Sequence, residues 1–326
     1  MWGRLRLRRG FAINPGDQLD HYRLEAVIDR TPTTTTYRAV DTQAGVQVAI
    51  KLPHADAVTD PAFIDRFHRE EEIGRSLNHP GLLKAIVDQH QSRPYFVTEW
   101  FVGPTLRQIL DESKKLPQER AVRITLGICD ALEYIHGHGI IHRNLRPENI
   151  LVGAGDHIKL IDFGAAAKEG SPRLTFTNLT QLLGGSPYIS PEELAGKRGD
   201  ARSDVYALGM MLNEMLTGQR PFPDGDAFER LQTHPVPPRE LDPSISPQLQ
   251  EVIYRALERE HKNRYASAHE LAFDLGHLDR VGVAQRAELL EWKKPRGAKR
   301  RRAVFYAAMA LIPLLIFALL IYFSQK

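Results

Sequence analysis

The sequence predicts an α+β chain in two lobes, a small β-rich one and a larger helical one, followed by one C-terminal transmembrane helix. Three observations carry this. Apolar and polar residues alternate through much of 22–51, apolar residues recur at helical spacing from Thr105 onward, and 303–323 is an uncharged apolar run.

In chain order, the period-two segments are Tyr22–Ile28, Thr34–Val40 and Val46–Lys51, three strands separated by short polar turns. Pro61 then opens a helix whose Phe63, Ile64, Phe67, Ile73 and Leu77 share one face, and which must end before His79-Pro80. Apolar runs at Leu82–Val87 and Pro94–Trp100 complete the small lobe. Helical patterns follow at 105–112, 118–137, 203–217, 248–259 and 267–280. The stretch holding Pro235, Pro237, Pro238, Pro243 and Pro247 reads as an ordered surface loop. The expected boundaries are a basic tail over 1–16, the small lobe over 17–98 and the helical lobe over 99–280. A basic linker over 281–302, the span over 303–323 and an external tail over 324–326 follow.

At 326 residues, 42% apolar and 25% charged, the chain is neither disordered nor of low complexity. Its net charge of +3 conceals an asymmetry. Arg4, Arg6, Arg8 and Arg9, seven Lys/Arg between Lys293 and Arg302, and Lys326 lie in segments without acidic residues. The remaining residues 11–292 carry 31 basic and 40 acidic side chains, a net of −9, which argues against a nucleic-acid binder. The single cysteine, Cys129, excludes a disulfide framework and sits in an apolar run as a buried structural thiol. No apolar stretch follows the N-terminal arginines, so no secretory signal is expected.

The 21 residues of 303–323 make roughly 31 Å of helix, the thickness of a bilayer core. Seven basic residues precede the span and one follows it, which places 1–302 on the cytoplasmic side of a single-pass inner-membrane protein.

The short motifs are Val48-Ala-Ile-Lys51, His142-Arg-Asn-Leu-Arg-Pro-Glu-Asn149, Asp162-Phe-Gly164, Ser190-Pro-Glu192 and Asp204-Val-Tyr-Ala-Leu-Gly209. In this order and spacing they resemble the bacterial protein kinases of eukaryotic Ser/Thr type, over roughly 17–280. The resemblance implies a two-lobed protein-kinase-like fold and a site for ATP with Mg2+ or Mn2+. Lys51 would hold the α/β-phosphates, oriented by Glu70, and Asn149 with Asp162 would ligate the metal. Thr98 falls at the gatekeeper position. The Glu99 carbonyl and Phe101 amide would meet the adenine edge, and Ala49 and Leu151 its faces. Glu192 would pair with Arg264, and Asp204 would accept backbone donors from the catalytic loop. Arg143 would face a phosphorylated activation loop, with Thr175, Thr177 and Thr180 as candidate positions.

Two departures bear on function. Asn144 stands where the family carries the catalytic aspartate, and Arg146 where it carries lysine. An amide has no useful basicity, and loss of a general base costs on the order of 10²–10⁴ in rate. The glycine-rich phosphate loop is replaced by Asp29-Arg-Thr-Pro-Thr-Thr-Thr-Thr36. Asp29 repels phosphate, Pro32 removes an amide donor and the threonines stiffen the turn.

These departures predict weakened nucleotide binding and a pseudokinase acting as a scaffold or regulator for a protein partner. The alternative is a slow but active Ser/Thr kinase acting on protein substrates, with Lys51, Glu70 and both metal ligands intact. A third reading is an interaction module without nucleotide. Membrane confinement favours a homodimer by raising local concentration.

Overall fold

The computed structural model describes residues 13–88, 90–168, 186–222, 231 and 235–284. The N-terminal arginines, Thr175, Thr177, Thr180, the basic run after Lys293 and the expected span 303–323 lie outside them. Among the described residues no helix is long and apolar enough to cross a membrane. The chain forms two units, Met1–Val283 and Ala284–Lys326, and the elements below lie in the first.

The small lobe is built on a six-stranded antiparallel sheet. Its strands are β1 (Gln18–Leu19), β2 (Tyr22–Arg30), β3 (Thr34–Asp41), β4 (Val46–Pro53), β5 (Ala85–Ile86) and β6 (Phe96–Glu99), in the order β1-β2-β3-β4-β6-β5. Tyr22, Leu24, Tyr37, Ala39, Val48, Ile50, Tyr95 and Val97 form its core, the buried half of each period-two pattern. Two register shifts in β2, between Leu24 and Ala26 and between Val27 and Asp29, interrupt its ladder with β3.

Helix α1 (Pro61–Ser76) starts where Asp60 accepts from the Ala62 amide at 2.9 Å and Pro61 takes the first turn. It buries Phe63, Phe67, Glu70 and Ile73, a stripe at spacings that bring them to one face, and stops at extended Leu77. That stripe puts a charged residue, Glu70, inside. Its reason lies in the cleft described below.

The larger lobe contains α2 (Leu106–Ser113), α3 (Gln118–Gly137), β7 (Ile140–Ile141), β8 (Ile150–Val152), β9 (Ile158–Leu160) and β10 (Ala167–Lys168). It continues with α4 (Pro191–Leu194), α5 (Ala201–Thr217), α6 (Pro238–Leu241), α7 (Pro247–Ala256) and α8 (Ala268–Gly276). Thr105 and Gln108 close a capping box at the start of α2. Helix α5 is buried nearly all round and ends at Gly218, whose φ of +71° the glycine accepts without strain. It is the axis against which α3, α7 and α8 pack.

Two expectations differ from the structure. The proline-rich stretch is a surface loop only in part: Pro235, Pro237 and Pro238 are buried and α6 forms within it, while Pro243 is exposed in the turn that follows. Proline is as apolar as a small core residue, and at the first helical positions its missing N–H costs nothing. The 267–280 pattern breaks at His277, after which Leu278–Arg280 forms a 3-10 turn.

Candidate active site

Three charged side chains from three elements meet between the small lobe's sheet and the loops around β8 and β9. Lys51 on β4 donates from Nζ to both Glu70 oxygens, at 2.9 and 2.7 Å, and lies 3.9 Å from Asp162 Oδ1. Burial opposes the Lys51 ammonium, yet the carboxylates of Glu70 and Asp162 outweigh it and hold its pKa above the ordinary lysine value. Burial raises the Glu70 carboxyl, and Lys51 offsets this only in part. Burial would raise Asp162 too, but Lys51, His142, the Gly164 amide and Asn144 pull it below the usual carboxylate range. Asp162 is therefore an ionised acceptor, held at a φ of +68°, a backbone state that favours glycine.

That acceptor fixes the two asparagines beside it. A carboxylate offers no proton, so Asn144 presents Nδ2 to Asp162 Oδ2, at 2.8 Å. Asn149 donates from Nδ2 to the Asn144 carbonyl at 2.7 Å, and this turns its Oδ1 the other way. An ionised carboxylate and a freed amide oxygen are hard donors, and they fit a small divalent cation that shares its remaining positions with phosphate. Arg146 donates from Nε to Glu148 Oε2 at 2.7 Å.

The connector between the lobes is tied down by its own charges. Glu99 Oε1 accepts from Lys159 Nζ at 2.6 Å and from the Lys84 amide at 3.1 Å. Thr98 is buried on β6 and pairs in register with Ala49 of β4. The connector lies directly on β8. A Cβ at Gly103 would sit 2.3 Å from the Val152 carbonyl oxygen, and one at Gly153 would sit 2.7 Å from the Phe101 ring. Ala49, Phe101 and Leu151 are half-buried.

The segment Asp29–Thr36 forms a tight hairpin tip between β2 and β3. The Thr31 hydroxyl oxygen accepts from the amides of Thr33 and Thr34, at 3.3 and 2.9 Å. With Pro32 having no N–H, the donors at the tip are consumed by the turn itself. His54, just past β4, anchors it: its amide donates to the Thr33 carbonyl, Nδ1 donates to the Pro32 carbonyl and Nε2 meets the Thr35 hydroxyl at 2.9 Å. Asp29 is exposed and its charge is felt at Lys51. Asp29→Asn is expected to tighten Mg-ATP binding about twofold to fivefold, read by titration calorimetry. An unchanged Kd would show that the Asp29 charge does not weigh on phosphate binding.

Behind the catalytic loop stand two scaffold pairs. Arg264 donates from Nη1 and Nη2 to the two Glu192 oxygens at 2.8 and 2.7 Å. Asp204 accepts from the amides of His142 and Arg143, each at 2.9 Å, and from His136 Nε2 at 2.8 Å. Burial opposes the Asp204 charge, yet these donors hold its pKa low.

Arg143 donates from Nε to Glu193 Oε1 at 3.2 Å, a carboxylate of α4, while Thr175, Thr177 and Thr180, the positions it was expected to face, lie outside the described residues. The arginine and the glutamate are 50 residues apart, so only the folded chain reveals the pair. Sequence reasoning also missed Glu193, His54 and Lys159. No spacing rule signals them, although a glutamate doublet at 192–193 invites the question of what neutralises the second.

The comparisons with known proteins agree with this geometry. Residues 23–274 match the model of the protein kinase domain. A probable serine/threonine-protein kinase of Streptomyces coelicolor is 38% identical over 264 residues, which is 78% of this chain and 39% of that protein. Serine/threonine-protein kinase PknB of Mycolicibacterium smegmatis is 35% identical over 266 residues, 78% of this chain and 42% of PknB. The chain thus spans about two fifths of the length of these relatives. The crystal structure of the Mycobacterium tuberculosis PknI kinase domain has a TM-score of 0.65 at 23% identity, covering 82% of this chain and 100% of that domain, a likeness of fold. With the family's motifs in its cleft and its domain model matched over most of its length, the chain belongs to the protein kinase family.

Proposed function

We propose that the chain is a slow protein serine/threonine kinase that transfers the ATP γ-phosphate to hydroxyls of protein substrates. The observation that carries this reading is the assembled Lys51–Glu70 pair within reach of an ionised Asp162. Phosphoryl transfer depends chiefly on positioning and electrostatics, which these groups supply without a strong base. The names of the relatives favour this alternative over the pseudokinase expectation.

Lys51 would neutralise the α/β-phosphates, and Asp162 with Asn149 Oδ1 would hold Mg2+ or Mn2+. The bound ion supplies charge neutralisation across the phosphates. Asn144 cannot take a proton, but with Nδ2 committed to Asp162 its Oδ1 is the atom left to accept from an incoming hydroxyl and orient it. As the new P–O bond forms and the bond to the ADP oxygen breaks, the hydroxyl proton passes to an oxygen of the transferred group and then to solvent. Without the base, turnover would fall about 10²–10⁴-fold below the roughly 1–100 s⁻¹ of ordinary protein kinases. The closed threonine turn favours a second reading, a scaffold that binds nucleotide weakly. Residues 303–323 would anchor either form in the cytoplasmic membrane, with the kinase domain facing protein partners in the cytoplasm.

The test is intact-mass spectrometry of the full chain incubated for hours with Mg-ATP or Mn-ATP, beside a Ser/Thr peptide library. Phosphate on the wild type or the peptides, absent with Lys51→Met and Asp162→Ala, is the expected result. No transfer with either metal would leave the scaffold reading in its place.

A further inference from the structure

Glu193 is a buried acid that the nucleotide cleft does not use. It is 4% exposed, and its Oε2 accepts from the Ser190 hydroxyl at 2.9 Å while Oε1 accepts from Arg143 Nε at 3.2 Å. Both partners of the ion pair are nearly dry, their side chains 9% and 3% exposed. The fold makes room for it: a Cβ at Gly199 would stand 2.8 Å from Oε1. A small cleft is lined by Arg143, Asn144, Ser186, Tyr188 and Glu193, so the pair borders the catalytic loop rather than the domain core.

Burying a carboxylate is expensive, and a glutamine could fill the same space without that cost, its one carbonyl oxygen accepting from Arg143 and its Nε2 donating to the Ser190 oxygen. The charge therefore has work beyond filling space. Arg143 precedes Asn144, has a φ of +64° and is held at its amide by Asp204. Its backbone is thus over-determined, and its side chain is the remaining handle on the loop's orientation.

We propose that Glu193 is a positioning residue that anchors the catalytic loop through Arg143 and thereby sets the orientation of Asn144 toward the substrate hydroxyl. A carboxylate of the fold supplies an anion to Arg143. This rests on the kinase reading, because the residue acts through a loop that performs transfer.

The anchor is proton-sensitive. Burial, before any other cause, pushes the Glu193 carboxyl up to about 7. Arg143 and the Ser190 hydroxyl pull it back, and Asp204 on α5 and its neighbour Glu192 push it further. A folded pKa above the unfolded value means the protonated form is favoured by folding. That stability is fully present below the ordinary glutamate pKa and is lost as pH rises through about 7. Loop anchoring runs the opposite way, strengthening as the carboxylate ionises.

The test compares the full chain with Glu193→Gln, nearly identical in shape. Wild-type kcat is expected to rise with one ionisation near pH 7, whereas Glu193→Gln gives a flat profile, about tenfold lower at its alkaline end, with KM for ATP unchanged. Arg143→Gln combined with Glu193→Gln is expected to lose no more than either alone. A variant that keeps the wild-type profile, or losses that add, would overturn the proposal. A readout independent of activity is the Arg143 Nε–H resonance in a nitrogen-15 spectrum, expected to titrate near pH 7 in wild type and not in Glu193→Gln. If wild type transfers no phosphate at all, the kinase reading fails by itself. A resonance that titrates still upholds the ion pair, and one that does not overturns it.

Discussion

Replacing Asn144 with aspartate is expected to raise kcat for phosphoryl transfer by about 10²–10⁴-fold, restoring an acceptor for the hydroxyl proton. The gain carries a cost that the geometry makes explicit. Asn144 Nδ2 now donates to Asp162 Oδ2 at 2.8 Å, and an aspartate would turn this contact into one between two carboxylates. Like charges at that distance force one pKa up and lower the stability of the ligand-free protein. A divalent cation at Asp162 would relieve the repulsion. Asn144→Asp should therefore melt lower than wild type without ligand but gain more from Mg-ATP, since a ligand bound only to the folded state stabilises it by linkage. Turnover assays and paired melting curves read both arms. A folded Asn144→Asp protein with no gain in turnover would move the limiting defect to the Asp29–Thr36 turn.

Arg264→Ala is expected to remove about 3–5 kcal/mol of stability by leaving Glu192 charged and unpaired inside the larger lobe. For a domain of this size that corresponds to a fall in Tm of about 6–20 °C. Arg264 is 3% exposed, donates twice to Glu192 and also to the carbonyls of Glu258, Arg202 and Arg259, and lies over the Tyr206 ring at 4.9 Å. The effect also has a pH signature. Burial opposes the Glu192 charge, but Arg264 and the Ser203 hydroxyl hold its carboxyl below the usual glutamate value. A lowered folded pKa contributes stability above the unfolded pKa and loses it as pH falls through the folded one. The deficit of Arg264→Ala should therefore shrink toward acid pH. A constant deficit across that range would assign the loss to packing against Tyr206 instead of to charge.

Some of the site was legible before any fold was known. The pairing of Lys51 with Glu70 was implied by the resemblance to the protein kinases, in which the glutamate stands a set distance before the end of the helix, and the structure shows the pair. The missing amide donor in the Asp29–Thr36 segment was local: Pro32 has no N–H wherever it sits. What escaped was the use of the remaining donors. That the Thr31 hydroxyl takes the amides of Thr33 and Thr34 depends on the closure of the turn, and that His54 anchors it depends on β4 lying beside β3. The buried prolines of 235–238 were misjudged for a related reason: turn chemistry is a property of residues, whereas burial is a property of what packs over them.

The sequence by itself determined the lobes and the order of their elements, which follow from periodicity, and its motifs, through the family they resemble, singled out Lys51, Glu70 and Asp162, which the structure brings together. Only the tertiary structure decided the remaining partners. Arg143 with Glu193, Lys159 with Glu99 and Asn144 with Asp162 are separated by 50, 60 and 18 residues. Coulomb and hydrogen-bond energies depend on distance in space, and no local pattern records that distance until the chain has closed around it.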